Sequence, residues 1–181
     1  MIAEMNWAGN YAYRAREIRF PRSIEELQEL VVRSSAIRAI GSRHSFNDLA
    51  DTKGTLVSLA AMPATVTVEA ARGIATVNAG ANYGHVGGEL ERQGWALANL
   101  ASLPHISIGG AVATGTHGSG LRNGSLADAV AAVDLVASDG ELRRFVRDRD
   151  PDFPGTVVAL GALGIVTSVD LRVEPTYEIA Q

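Results

Sequence analysis

A polar turn at residues 41–45 follows a predicted buried strand and has the composition of an anion site. It consists of Gly41–Ser42–Arg43–His44–Ser45. Small residues in a turn after a strand let successive backbone N–H groups converge on an anion such as a phosphate. A tight surface turn that carries an exposed histidine is the alternative, and the turn alone leaves both interpretations open.

The glycine-rich stretch from Ile106 to Gly124 is a second candidate site. It contains six glycines, and the hydroxyl groups of Thr114, Thr116 and Ser119 lie among them. Glycine loses much backbone entropy on folding, so a dense run of it indicates a place where something approaches the backbone closely. A flexible surface loop is the alternative interpretation here.

Several nucleotide and catalytic signatures are absent. Gly110 and Gly115 have the spacing of a P-loop, but Thr116 stands where the lysine is needed, and the only lysine is Lys53. No Gly-x-Gly-x-x-Gly opens a helix after a strand, which argues against a Rossmann domain. There is also no Gly-x-Ser-x-Gly elbow of an α/β-hydrolase. The four histidines lack metal-ligand spacing, so we expect no metal site.

Composition excludes other classes of function. The 181 residues include 20 acidic and 16 basic side chains, a net charge of −4, which favours neither nucleic acid nor an anionic membrane surface as a partner. The lack of cysteine excludes disulfides, zinc–thiolate sites and a thiol nucleophile. Neither a signal peptide at Met1–Asn10 nor a membrane-spanning apolar run is found, so we expect a cytoplasmic protein.

Hydrophobic periodicity and turn residues predict an α+β chain. A capping box of Ser23 and Glu26 starts the first helix, and Asp139–Gly140 closes a hairpin. Helices are predicted over 24–34, 83–93 and 153–160, and strands over 37–40, 56–59, 65–69, 74–77, 130–137, 141–146 and 165–173. We expect one domain, 1–181, with subdomains 1–63 and 64–181. Trp7 and Trp95 are predicted to be packing residues rather than stacking platforms.

Three segments in register resemble one family. They are Gly41–Asn47 after its strand, Leu100–Ser107 and Gly110–Gly120. Together they resemble the FAD-binding domain of the vanillyl-alcohol oxidase type (PCMH-type), nearest to alditol and xylitol oxidases, with gulonolactone oxidases as wider relatives. The opening Asn6–Asn10 also resembles the start of the sugar-alcohol oxidases. The resemblance covers nearly the whole chain and implies two α+β subdomains with FAD between them.

The resemblance implies roles for individual residues. The first segment would hold the FAD pyrophosphate: Ile40, Gly41, Ser42, Arg43, His44, Ser45 and Phe46. His44 matches the residue that bonds covalently to the 8α-methyl group of the isoalloxazine, and an ordinary imidazole is mostly neutral at pH 7, as a nucleophile must be. The second segment would contact FAD through Ser102, Ser107, Gly110, Ala111, Thr114, Gly115, Thr116, His117 and Gly118. Ser102 would also lie near the substrate as a candidate catalytic residue. Ile165 and Val166 match a late strand that contacts the cofactor.

Relatives of this kind are more than twice as long and continue past Glu174–Pro175 into a substrate domain. We therefore expect a stand-alone or minimised flavoprotein, with FAD linked to His44, oxygen as electron acceptor, and a small alcohol or an artificial reductant as donor. One alternative is an alditol-type alcohol oxidase that forms hydrogen peroxide with a partner chain supplying the missing domain. The other is a flavin electron carrier. A monomer and a homodimer both remain open.

Overall fold

A three-stranded parallel sheet organises the first part of the chain. The computed structural model describes residues 4–178, and its first sheet contains β1 (Glu17–Arg19), β2 (Ile37–Ala39) and β3 (Thr55–Val57) in the order β1-β3-β2. Both neighbours pair in parallel with the fully buried β3. The turn of interest leaves the sheet directly after β2, so the sheet fixes where that turn begins.

Helix α1 (Ile24–Arg33) joins the two parts of the fold. Its N-terminus is capped as the sequence predicts, because the Ser23 hydroxyl accepts the N–H of Glu26 at 3.2 Å. The buried face of the helix consists of Leu27, Leu30 and Val31. One core cluster contains this face together with Val57 of the parallel sheet, Val136 and Ile165 of the antiparallel sheet, and Leu59, Met62 and Ala79 of the connecting segments.

A five-stranded antiparallel sheet organises the second part of the chain. Its order is β4-β5-β9-β7-β8. The strands are β4 (Val66–Glu69), β5 (Ile74–Asn78), β7 (Val130–Val136), β8 (Leu142–Val146) and β9 (Ile165–Arg172). The largest core cluster lies between this sheet and three helices: α2 (Tyr83–Arg92), α3 (Ile108–Ala113) and α4 (Phe153–Val157). The short strands β6 (Trp95–Ala96) and β10 (Glu174–Pro175) pair separately.

The predicted hairpins and long helices are confirmed, whereas the glycine-rich stretch differs from the prediction. Sequence patterning treats it as a loop, but it contains α3. The low helix propensity of glycine is outweighed by tertiary packing, since Ile108 and Val112 are buried. A Cβ on Gly109 would lie 3.1 Å from the carbonyl oxygen of Ala79, so glycine there lets α3 approach the chain after β5.

Two further elements depart from the expected boundaries. α4 ends at Val157 rather than at Leu160, because the backbone of Val158 is no longer helical (φ −116°, ψ 53°); the N–H of Leu160 bonds to the carbonyl of Ala113 instead. β1 is not among the strands located by sequence. Its three residues are too few to show a period, and only pairing with β3 defines it. None of the helices within residues 4–178 combines the length and the apolar composition that a membrane span requires.

Candidate functional site

The turn after β2 presents a run of free backbone donors. The N–H of Ile40 still bonds to the carbonyl of Val57, at 2.8 Å. From residue 41 to residue 46, no backbone N–H has an acceptor among residues 4–178. Arg43, in the middle of the run, has a left-handed backbone (φ 63°). Such a residue within a turn directs successive N–H groups toward one concave side, which suits an anion.

The segment at residues 4–11 fixes the shape of this turn. The buried amide of Asn6 donates to the carbonyl of Ser45 at 3.1 Å, and its Oδ1 accepts the N–H groups of Asn10 and Tyr11. The N–H of Trp7 bonds to the carbonyl of Arg43 at 2.9 Å. Residues 43 and 45 are therefore held from outside the turn while their own N–H groups stay free. Sequence reasoning used this segment only as part of the resemblance.

Ser107 connects the turn with the glycine-rich segment. Its N–H donates to the hydroxyl of Ser42 at 3.2 Å. Its own Oγ is buried and has no hydrogen-bond partner within residues 4–178. A Cβ on Gly41 would lie 2.1 Å from this oxygen, and one on Gly110 would lie 2.8 Å from it. Both glycines are exposed, so the unpaired hydroxyl lies beside two stretches of backbone that carry no side chain.

A buried hydroxyl without a partner destabilises a protein, and a ligand that accepts its hydrogen would remove that cost. The donors around it are neutral N–H groups and hydroxyls, which is the donor set that binds a phosphate through its oxygens. The residues present therefore fit the pyrophosphate of a dinucleotide. The fit rests on two segments that lie far apart in the sequence and that the fold brings together.

The chain after α3 folds back on the helix. Thr116 donates its N–H to the carbonyl of Ala111, and Gly115 has a left-handed backbone (φ 65°). Thr114 Oγ1 contacts the carbonyl of Gly110 at 2.9 Å and the hydroxyl of Thr116 at 3.2 Å. A Cβ on Gly118 would lie 2.8 Å from the carbonyl oxygen of Leu100. The predicted contact segments around residues 100 and 118 thus lie side by side.

His44 forms a close pair with His105. Their Nε2 atoms are 2.6 Å apart, although 61 residues separate them. The indole of Trp7 stacks on the His44 ring, with centroids 4.6 Å apart and an interplanar angle of 27°. Burial, and secondly the neighbouring His105, hold the pKa of His44 below its ordinary value of 6.5. The ring is therefore neutral over more of the pH range than a free histidine.

Two features of this cluster were not found from sequence. His105 belongs to a segment that carries the resemblance, but nothing in the sequence assigns it a role. The prediction that Trp7 packs rather than stacks is wrong, because the residue is 60% exposed and its indole stacks on the ring of His44. Trp95 packs against the core as expected.

The remaining candidates occupy different environments. Ile40 and Ala111 are buried, while Phe46, Ser102 and His117 are exposed. Ile165 and Val166 lie in β9, where they pack with the core around α1. The structure therefore brings together residues 41–45, His105, Ser107 and Gly110. Within residues 4–178, no other predicted contact residue forms a hydrogen bond to the turn.

A family model described as "FAD binding domain" matches residues 15–145. The chain belongs to this family of FAD-binding domains. Its mixed helix and strand architecture, with a parallel and an antiparallel sheet, confirms the expected α+β class.

Relatives of this FAD-binding domain include oxidases. It is 44% identical to an alditol oxidase of Streptomyces sp., over 99% of this chain and 44% of that protein. It is 32% identical to a putative D-arabinono-1,4-lactone oxidase of Neurospora crassa, over 96% of this chain and 32% of that protein. The chain therefore spans less than half the length of these relatives.

A solved structure shows the same fold. Cholesterol oxidase from Brevibacterium sterolicum superposes with a TM-score of 0.81 over 96% of this chain and 36% of that one, at 23% identity. At that identity the likeness concerns the fold alone, which is the PCMH-type FAD-binding fold. The expected family and fold are confirmed.

Proposed function

We propose that residues 41–46 hold the pyrophosphate of FAD, and that His44 bonds covalently to its 8α carbon. The observation that carries the first part is the unpaired hydroxyl of Ser107 between Gly41 and Gly110, beside a run of free N–H groups. Backbone N–H groups can bind both phosphate groups without a positively charged side chain, which agrees with the acidic composition of the chain.

The state of the His44 ring supports the covalent bond. Its Nε2 faces Nε2 of His105, whereas its Nδ1 has no hydrogen-bond partner among the described residues. Nδ1 is therefore the nitrogen that is free to form the bond. The cofactor supplies an electrophilic 8α carbon that loses one proton and a ring that takes up two electrons, which dioxygen then removes. The Trp7 indole stacks on the His44 ring and so limits its rotation.

Visible absorption followed by acid precipitation tests the proposal on the 181-residue chain. We expect a yellow protein after purification or after incubation with FAD, and the colour should stay in the acid pellet. Colour that moves to the supernatant contradicts the covalent bond but not FAD binding. A colourless protein that FAD does not reconstitute contradicts both.

The rate of covalent attachment should rise with pH to a plateau, with its midpoint below pH 6.5. Only the neutral ring has a lone pair for the bond, and the pKa of His44 is lowered by burial and by His105. Arg43, the neighbouring charge, is ion-paired with Glu4. Acid-stable flavin formed per minute from apo-protein and FAD, measured between pH 5 and pH 8, checks this. A midpoint above pH 6.5 contradicts the depressed pKa.

For substrate chemistry, the identity to an alditol oxidase favours oxidation of an alcohol group. We infer hydride transfer from a carbinol carbon to the flavin, with oxygen as the final acceptor and hydrogen peroxide as the product. Ser102, exposed on the segment next to residue 118, is the substrate-side candidate. Peroxide formed from xylitol, with Ser102→Ala as the comparison, tests this. A variant as active as the wild type would remove Ser102 from the site.

A further inference from the structure

The contact between His44 and His105 requires a shared hydrogen. Two imidazole nitrogens 2.6 Å apart form a hydrogen bond only if one ring donates its N–H and the other accepts with a lone pair. A doubly protonated pair would place two N–H groups against each other. The structure therefore allows two arrangements, with the hydrogen on His44 or with the hydrogen on His105.

The two arrangements differ in the reactivity of His44. If His105 donates, a neutral His44 carries its hydrogen on Nδ1, and its only lone pair lies inside the contact. If His44 donates from Nε2, its Nδ1 has a lone pair and no hydrogen-bond partner within residues 4–178. Only the second arrangement leaves a nucleophilic nitrogen facing away from His105.

Backbone hydrogen bonds on both sides of His105 hold its segment in this position. The carbonyl of Pro104, the residue before it, accepts the N–H of Gly84 at 2.7 Å. The carbonyl of Ile106, the residue after it, accepts the N–H of Tyr83 at 3.1 Å. Both donors belong to the first turn of α2, so the histidine is anchored on its two sides to a helix. The ring of Trp7 also extends over it, with centroids 6.2 Å apart.

We propose that His105 is a positioning residue for flavin attachment. Its Nε2 first accepts a hydrogen bond from the Nε2–H of His44 and then takes that proton. The proposal rests on the covalent bond proposed above. A C–H bond of the 8α-methyl group and the Nε2–H bond break, and one bond forms between the 8α carbon and Nδ1. The two electrons pass to the flavin ring and later to dioxygen. The methyl proton is released to water, and the Nε2 proton moves to His105, whose exposed side chain also passes it to water. Dioxygen takes up the two electrons with two protons from water and becomes hydrogen peroxide.

Attachment kinetics separate this role from simple packing. Apo-protein is mixed with FAD, and acid-stable flavin is measured over time while total bound FAD is followed by fluorescence quenching. Removing a proton acceptor slows such a step by about 100-fold or more. We expect His105→Ala to bind FAD and attach it that much more slowly, and added imidazole to restore part of the rate.

His105→Gln and His85→Ala complete the series. Glutamine accepts the hydrogen bond but does not take the proton, so we expect a rate between those of His105→Ala and the wild type. His85 also uses its Nε2, on the carbonyl of Ala64 at 2.9 Å, but lies outside the site, so His85→Ala should attach flavin at the wild-type rate. A His105→Ala protein that attaches flavin as fast as the wild type overturns the proposal.

A spectroscopic measurement tests the same arrangement without any flavin. ¹⁵N chemical shifts of the histidine rings in the 19.0 kDa apo-protein report which nitrogen carries the hydrogen. We expect the Nε2–H form for His44 in the wild type and a loss of this preference in His105→Ala. An Nδ1–H form in the wild type overturns the role of His105. Failure of the proposed function would look different, because the wild type itself would then retain no acid-stable flavin.

Discussion

Replacing His44 with alanine should remove all acid-stable flavin from the protein while FAD still binds. The turn that carries His44 is held by the Asn6 amide and by the N–H of Trp7, and neither contact involves the imidazole. The pyrophosphate donors are backbone groups, which the substitution leaves in place. The chain contains no cysteine to replace His44 as the nucleophile, and His105, which loses its partner in this variant, lies on a separate segment 61 residues away in the sequence.

The measurement is the fraction of flavin that stays in the pellet after acid precipitation, with in-gel fluorescence as a second readout. His85→Ala is the matched control. It also removes an imidazole that contacts a loop, here the carbonyl of Ala64, and it should keep the flavin in the pellet. Acid-stable flavin in His44→Ala would place the bond elsewhere. Loss of FAD binding as well would mean that the ring, and not the backbone, holds the turn.

Replacing Ser107 with alanine should weaken FAD binding without weakening the fold. Its hydroxyl has no partner among residues 4–178, so its removal breaks no hydrogen bond in the apo-protein. Hydrogen bonds to charged groups contribute about 1.5–3 kcal/mol, so losing one to a phosphate corresponds to a fall in affinity of roughly 10- to 150-fold. The free energy of unfolding of the apo-protein should stay the same or rise slightly.

Fluorescence quenching of FAD measures the affinity, and urea unfolding of the apo-protein measures the free energy of unfolding. Both are measured in the His44→Ala background, because covalent attachment would obscure the affinity. Ser168→Ala is the opposite control. Its hydroxyl bonds to Asp134 at 2.6 Å within the antiparallel sheet, so its loss should lower stability by about 1 kcal/mol and leave FAD affinity unchanged. Equal FAD affinity in Ser107→Ala and its parent would remove this hydroxyl from the site.

Gly41→Ala extends the same test. The new Cβ would lie 2.1 Å from the Ser107 oxygen and 3.3 Å from its Cβ, so the oxygen is the atom that must move. The single variant should lose stability, and the Gly41→Ala/Ser107→Ala double variant should regain much of that loss. Additive effects of the two substitutions on the free energy of unfolding would show that the two residues are not in steric contact in solution.

Much of the fold could be predicted because its determinants are local. The capping box at Ser23, the Asp139–Gly140 turn and the alternation along β9 each act over a few residues, and all three elements form where expected. α3 could not be found in this way, since its glycines disfavour a helix and the stabilising contacts come from distant parts of the chain.

The candidate site also has a part that local sequence determines and a part that tertiary contacts determine. The sequence by itself determined the residue types at the turn, the family and the cofactor class, because the motifs of residues 41–47, 100–107 and 110–120 are contiguous. The roles of these residues stay predictions. Only the tertiary structure decided that Trp7 covers His44, that His105 faces it, and that the Ser107 hydroxyl is left unpaired between two glycines. Each of these depends on a contact between segments more than 30 residues apart. Such a contact is set by how the sheets and helices pack, which no local pattern records.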